Sequence, residues 1–266
     1  MKTRFTKLLV SLAMLMTPLM LQCAAENPQA LMIMEATAMT QQTQCQLRAD
    51  APAQFIRPYG VLDLSLTNQY YLFPTVKNMM VELQTVIGEG PDSLITENHV
   101  LSIKAAEIRV DMGEFQPVSS DTNKVKQIAT QYMFDGVRMV VPGSIEPGQI
   151  TTLGLQVVRP ELGNILQSKM ENLVKKSGVK YPAVWIHAYV SVEAEAQNRT
   201  RVVSNTFAFP IMLCWGCLVQ PFFSDTATQL PCYIGQDESI PCAMCQHHAR
   251  FPEDCPVCYT GEEPRP

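Results

Sequence analysis

Long apolar runs are scarce in this sequence. None reaches the roughly 18 residues that a bilayer-crossing helix requires, which excludes a multi-pass membrane protein. Basic charge is also short, with 20 Lys and Arg against 25 Asp and Glu, and Lys2, Arg4 and Lys7 crowd the start of the chain. The remainder has no cationic field able to displace counterions from a phosphate backbone, so no nucleic-acid partner is expected. Histidine is rare, limited to His99, His187, His247 and His248. No G-x-S-x-G elbow, H-E-x-x-H, phosphate-binding G-x-x-x-x-G-K-[ST] or G-x-G-x-x-G occurs. No pair of carboxylates stands out as an acid/base couple, and most are expected to solvate outward strand faces. The reading is therefore not an enzyme, and no cofactor is expected. Apolar material, in contrast, is ample: 47% of 266 residues, with only 17% charged, enough for a sizeable core and too apolar for a disordered chain.

The first residues read as an export signal. Lys2, Arg4 and Lys7 form a positive region, and Leu8 to Leu21 an apolar stretch too short to span a bilayer. The following Gln22-Cys23-Ala24-Ala25 allows two endings. A signal peptidase would cut after Ala25, or Cys23 would become the lipid-bearing first residue of a lipoprotein.

Either ending removes Cys23 from the nine cysteines and leaves an even set: Cys45, Cys214, Cys217, Cys232, Cys242, Cys245, Cys255 and Cys258. Even parity suits a disulfide framework in an oxidising compartment, although eight cysteines allow 105 connectivities. Cys45 stands alone far upstream, so its bridge must reach the tail and pin it to the body, worth roughly 2–4 kcal/mol. Three C-x2-C pairs occur in the tail: Cys214–Cys217, Cys242–Cys245 and Cys255–Cys258. The last two also have the spacing of a tetrahedral zinc site, so Cys242, Cys245, Cys255 and Cys258 form the alternative, metal-binding reading. Export favours disulfides, because thiols are oxidised before they act as ligands.

Between about residues 30 and 213 the dominant period is two. Leu62, Leu64 and Leu66 alternate with Asp63, Ser65 and Thr67; Leu153, Leu155 and Val157 alternate with polar neighbours. The clearest element runs from Val184 to Glu195, followed by a turn at Asn198-Arg199 and an antiparallel return over Arg201 to Leu213. Further strands are expected over Leu31–Thr37, Val81–Ile87, Leu101–Met112 and Tyr132–Val141. In the third of these the apolar parity switches between Ala105 and Ile108, the mark of a bulge or of a strand crossing between sheets. One segment has a helical period: Leu162, Ile165, Leu166, Met170, Leu173 and Val174, with Pro160 in the first turn and Lys175 and Lys176 in the last.

Many short strands and one amphipathic helix imply a mainly β fold of antiparallel, immunoglobulin-like β-sandwiches. The expected division is a leader over 1–23, a first sandwich over 24–120, a second over 121–218 that includes the helix at 160–177, and an irregular cysteine-rich tail over 219–266; the alternative is one larger sandwich in place of two.

One stretch has binding character. Trp185, His187 and Tyr189 stand side by side on the polar face of the long strand. Left uncovered, they suit a sugar or a protein partner; covered by the helix or a second sheet, they are core.

The leader with its early cysteine, the strand-rich body and the cysteine tail together resemble the cysteine-containing β-sandwich lipoproteins of Gram-negative cell envelopes. The resemblance implies a non-enzymatic structural or recognition module, exported and held at a membrane by a lipid on Cys23. Ala24 after that cysteine implies sorting to the outer membrane.

Overall fold

The computed structural model describes residues 29–40, 44–47, 55–82, 84–87, 94–97, 99–177, 182–220, 231–242 and 245, with backbone only over 84–87 and 94–97. The chain is mainly β. In order the strands are β1 (Leu31–Thr37), β2 (Gly60–Asp63), β3 (Tyr70–Asn78), β4 (Gln84–Ile87), β5 (Leu94–Glu97), β6 (Leu101–Asp111) and β7 (Val137–Ile145). They continue as β8 (Ile150–Thr152), β9 (Leu155–Val158), β10 (Ala183–Ala196), β11 (Arg201–Val203), β12 (Phe207–Cys214), β13 (Val219–Gln220) and β14 (Ile240–Pro241).

A six-stranded sheet has the order β2-β12-β10-β6-β7, with β11 also on β10; a four-stranded sheet has β3 between β1 and β8, with β9 also on β3. Pairing is antiparallel throughout these two sheets except between β2 and β12, which run parallel. Strands from either side of residue 120 share the larger sheet, and residues from both sheets line one continuous core. The expected boundary at 120 therefore does not separate two cores: β6, from the first stretch, is hydrogen-bonded between β7 and β10 from the second.

The alternation of β10 is fully realised. Ile186, Ala188, Val190, Val192 and Ala194 are buried, and the intervening side chains face outward. The antiparallel return over Arg201 to Leu213 forms as β11 and β12, interrupted at Ser204, whose hydroxyl accepts the Val192 amide of β10 at 2.8 Å. The parity switch in β6 is a register shift. It lies between Ile103 and Ala105 against β7, with a matching shift between Glu193 and Ala194 on β10, so that Ala105 and Ala106 are both buried. Where β1 carries its own irregularity, the Asn205 side chain substitutes for a strand, accepting the Ile33 amide at 2.7 Å and donating to its carbonyl at 3.1 Å.

The helix expected at 160–177 spans Pro160–Ser177 and buries Leu162, Ile165, Leu166 and Met170. It is not alone. The strand expected over Tyr132–Val141 begins only at Val137, because Asn123–Thr130 is an α-helix that continues as a π-turn over Gln131–Asp135. Thr122 caps this helix by accepting the Val125 amide at 3.3 Å, and Ala129 and Tyr132 enter the core on the helical period. Gly136, at φ +75°, ends it and turns the chain into β7. Pro142 and Gly143 lie within β7; this is an edge strand, where a missing amide donor costs no ladder bond.

One glycine is dictated by packing. A Cβ at Gly60 would fall 2.0 Å from the Tyr70 hydroxyl, which is buried and donates to the Asp237 carboxylate at 3.0 and 3.1 Å. Replacing Gly60→Ala is expected to displace that hydroxyl and leave Asp237 short of a donor, lowering the unfolding free energy by about 1–3 kcal/mol in denaturant titration.

Candidate functional site

The outer surface of the larger sheet is built by period-two alternation on β10. Trp185 lies opposite Met212 of β12, His187 between Pro210 of β12 and Asp111 of β6, and Tyr189 between Ala208 and Arg109. Trp185 is 45% exposed and His187 is exposed, so neither the helix nor the second sheet covers this face. The helix lies against the other side, where its stripe enters the core and Gln167 donates to the Leu64 carbonyl at 2.6 Å. A residue that period reading missed completes the patch. Tyr59, 47% exposed, meets Trp185 edge-to-face with ring centroids 5.7 Å apart. It precedes β2 in irregular chain, so its only sequence signal was an aromatic residue directly before Gly60.

The two ends of β10 differ in character. At the far end Glu193 is held by Arg138 at 3.2 Å and Arg201 at 3.1 Å, and Glu195 lies 3.8 Å from Lys104. Charge is mutually engaged there, leaving the aromatic end of the strand as the part with unspent stacking surface. A separate open trough of about 1260 Å³ runs over Met32, Met79, Met80 and Val202. Its titratable lining groups are already committed, His99 to the Val81 carbonyl at 2.6 Å and Arg201 to Glu193.

Cys45 is bridged to Cys232 across a sequence separation of 187, the body-to-tail link expected of a lone upstream cysteine. Cys214 is bridged to Cys217, and Cys242 and Cys245 are also disulfide-bonded, so these two hold no free thiolate for zinc. Cys23, Cys255, Cys258, His247 and His248 lie outside the described residues.

Between these bridges the tail is fastened to β2 by two carboxylates, the buried Asp63 and the half-buried Asp237. Asp237 accepts the Val61 amide at 2.8 Å, and its own amide donates to the Val61 carbonyl at 2.9 Å. Gln236 reads the Tyr71 backbone as a strand would, accepting its amide at 2.8 Å and donating to its carbonyl at 2.6 Å. Asp63 corrects the expectation that the polar residues of its run face solvent: it is fully buried, as is nearly all of Ser65. β2 ends at Asp63, and the chain turns there. Its carboxylate gathers the Ser65 amide and hydroxyl (3.0 and 2.7 Å), the Gly216 amide (2.8 Å) and the Leu218 amide (2.9 Å). Burial raises the carboxyl pKa of both Asp63 and Asp237 above the ordinary value, with their hydrogen bonds opposing the rise.

Replacing both Cys45 and Cys232 by Ser is expected to cost about 2–5 kcal/mol in non-reducing denaturation, because it frees a very long loop of the unfolded chain. A carboxyl whose folded pKa is raised binds more protons folded than unfolded, so its contribution to stability falls as pH rises through the window above 3.8. Asp237→Asn is therefore expected to shrink the part of the stability loss between mildly acidic and neutral pH that wild type shows. Matched denaturation series at both pH values measure it, and an unchanged pH difference would count against a raised carboxyl at 237.

No protein-family model matches this chain, no curated protein is similar to it, and no solved structure matches it.

Proposed function

We propose that this chain is a non-enzymatic, exported protein of the cell envelope that serves as a recognition module, held at the outer membrane by a lipid on Cys23. Export is supported by the crosslinked state of Cys45, Cys214, Cys217, Cys232, Cys242 and Cys245, which an oxidising compartment allows. Among the described residues no helix is long and apolar enough to cross a membrane. The finer fold reading, an immunoglobulin-like sandwich with a stapled irregular tail, is supported by two largely antiparallel sheets around one core and by the Cys45–Cys232 bridge.

The recognition reading rests on one observation. Trp185 and Tyr59 meet on an open sheet face in line with His187 and Tyr189, where burial by a partner would recover apolar area. Flat aromatic faces stack on sugar rings, and the same residues anchor protein interfaces, so the partner is an envelope carbohydrate or protein. A second reading, zinc held by Cys242, Cys245, Cys255 and Cys258, is disfavoured by the oxidised state of the first two.

The two tryptophans provide the test, since Trp215 is buried while Trp185 is open. In a Trp215→Phe background, emission from Trp185 reports ligand contact directly. Titration with purified envelope glycans and envelope proteins is expected to give a saturable change. Trp185→Ala with Tyr189→Ala is expected to weaken the same binding by tenfold or more, roughly 1.4 kcal/mol, measured by calorimetry. Full affinity in that double variant would remove this face from the function.

A further inference from the structure

The Cys214–Cys217 bridge closes a sequence separation of only 3, so it restricts the unfolded chain far less than Cys45–Cys232 and contributes little crosslinking stability. Its surroundings are nevertheless specific. The parallel register of β2 with β12 places Asp63 directly opposite Cys214. One carboxylate oxygen of Asp63 and the sulfurs of Cys214 and Cys217 all lie within 4.8 Å of one another. Cys214 is buried at 1% exposure, whereas Cys217 is accessible to solvent. The loop between them closes through Gly216, at φ +71°. Its Gly216 amide and the adjoining Leu218 amide are held by Asp63 and not by the sulfurs, so the loop keeps its place when the bridge opens.

We propose that Cys214–Cys217 is a thiol–disulfide exchange site, with Cys217 as the sulfur reached by an external dithiol and Asp63 as the buried group that exchanges a proton with Cys214. In the reducing direction, a thiolate of the dithiol attacks Cys217 Sγ. The Cys214–Cys217 bond breaks, and Cys214 leaves with the electron pair and takes a proton from the Asp63 carboxyl. The second thiol of the donor then attacks the mixed disulfide, releasing Cys217 and leaving the donor oxidised. Two electrons pass from the dithiol to the pair; one proton reaches Cys214 through Asp63 and the other reaches Cys217 from water. In the oxidising direction the Asp63 carboxylate removes the Cys214 proton. Burial supports this role, because it lifts the Asp63 carboxyl toward the pH at which a thiol must be deprotonated. Adjacent cysteines in a C-x2-C loop are the arrangement in which a thiol becomes reactive, whereas a buried isolated one is inert.

The test uses the full oxidised chain in mixtures of reduced and oxidised dithiothreitol, with alkylation by iodoacetamide and peptide mass analysis. Cys214 and Cys217 are expected to reduce together and reversibly while Cys45–Cys232 remains closed. Reduction of Cys45–Cys232 first, or no reduction of the short pair short of unfolding, overturns the proposal. So does stoichiometric zinc uptake by the reduced chain without return to the disulfide. Asp63→Asn is expected to slow exchange about tenfold or more near neutral pH, with the deficit closing at alkaline pH. A rate profile identical to wild type overturns the role of Asp63. Should that variant not fold, Ser65→Ala retains the carboxyl but removes a hydrogen bond that favours its ionised form. Its exchange profile is expected to move to higher pH, and an unmoved profile again overturns the assignment.

Discussion

The fastening of β2 is the constraint on which the rest of the structure depends. β2 is only four residues long and sits at the end of the larger sheet, paired in parallel to β12. An edge so short holds little by itself. Its free side is taken up by the tail: the Asp63 amide donates to the Gly235 carbonyl, Leu62 bridges Gln236, and Val61 exchanges bonds with Asp237. The tail thus acts as a surrogate strand and covers an edge that would otherwise be open to pairing with another chain. Two carboxylates, the buried Asp63 and the half-buried Asp237, make the arrangement specific. Each costs desolvation, and each is offset by several donors that no other register would bring together.

The same fastening orders the surface and the short disulfide. Because β2 and β12 are locked in register, Tyr59, just before β2, is delivered beside Trp185 on β10. Because β2 ends at Asp63 opposite Cys214, the C-x2-C loop is cradled by a carboxylate. One edge pairing therefore positions both features to which chemistry is assigned. The Cys45–Cys232 bridge and the Gln236 clasp on Tyr71 secure the tail from its other end, so the edge strand is held by covalent and hydrogen-bonded means together.

The remaining polar burial follows the same rule. Asn78 donates to the His99 and Ile145 carbonyls and accepts the Met80 amide, joining the end of β3 to β7 and to the chain before β6, which belong to the other sheet. Asn205 does the same for β1. Side chains with both donor and acceptor stand in for backbone wherever the sheets are interrupted, which is how irregular connections stay inside a dry core.

Local patterns by themselves determined the mainly β character, the two faces of β10, the bulge in β6, the helix from Pro160 and the pairing of Cys45 with the tail. Each of these depends on period, parity or a count, and a period survives in any tertiary setting. Tertiary structure alone decided the rest. The helix from Asn123 is too short for its period to stand out, and it exists because Tyr132 and Ala129 find core there. Asp63 reads as an outward residue of an alternating run and becomes fully buried only because β12 and the tail arrive on either side of it. Exposure of Trp185 likewise required knowing which side of the sheet the helix takes. Apart from the Cys45 bridge, which a cysteine count reveals, the contacts between residues more than a hundred positions apart leave no trace in spacing, since what fixes them is the closure of the sheet and not the local chain.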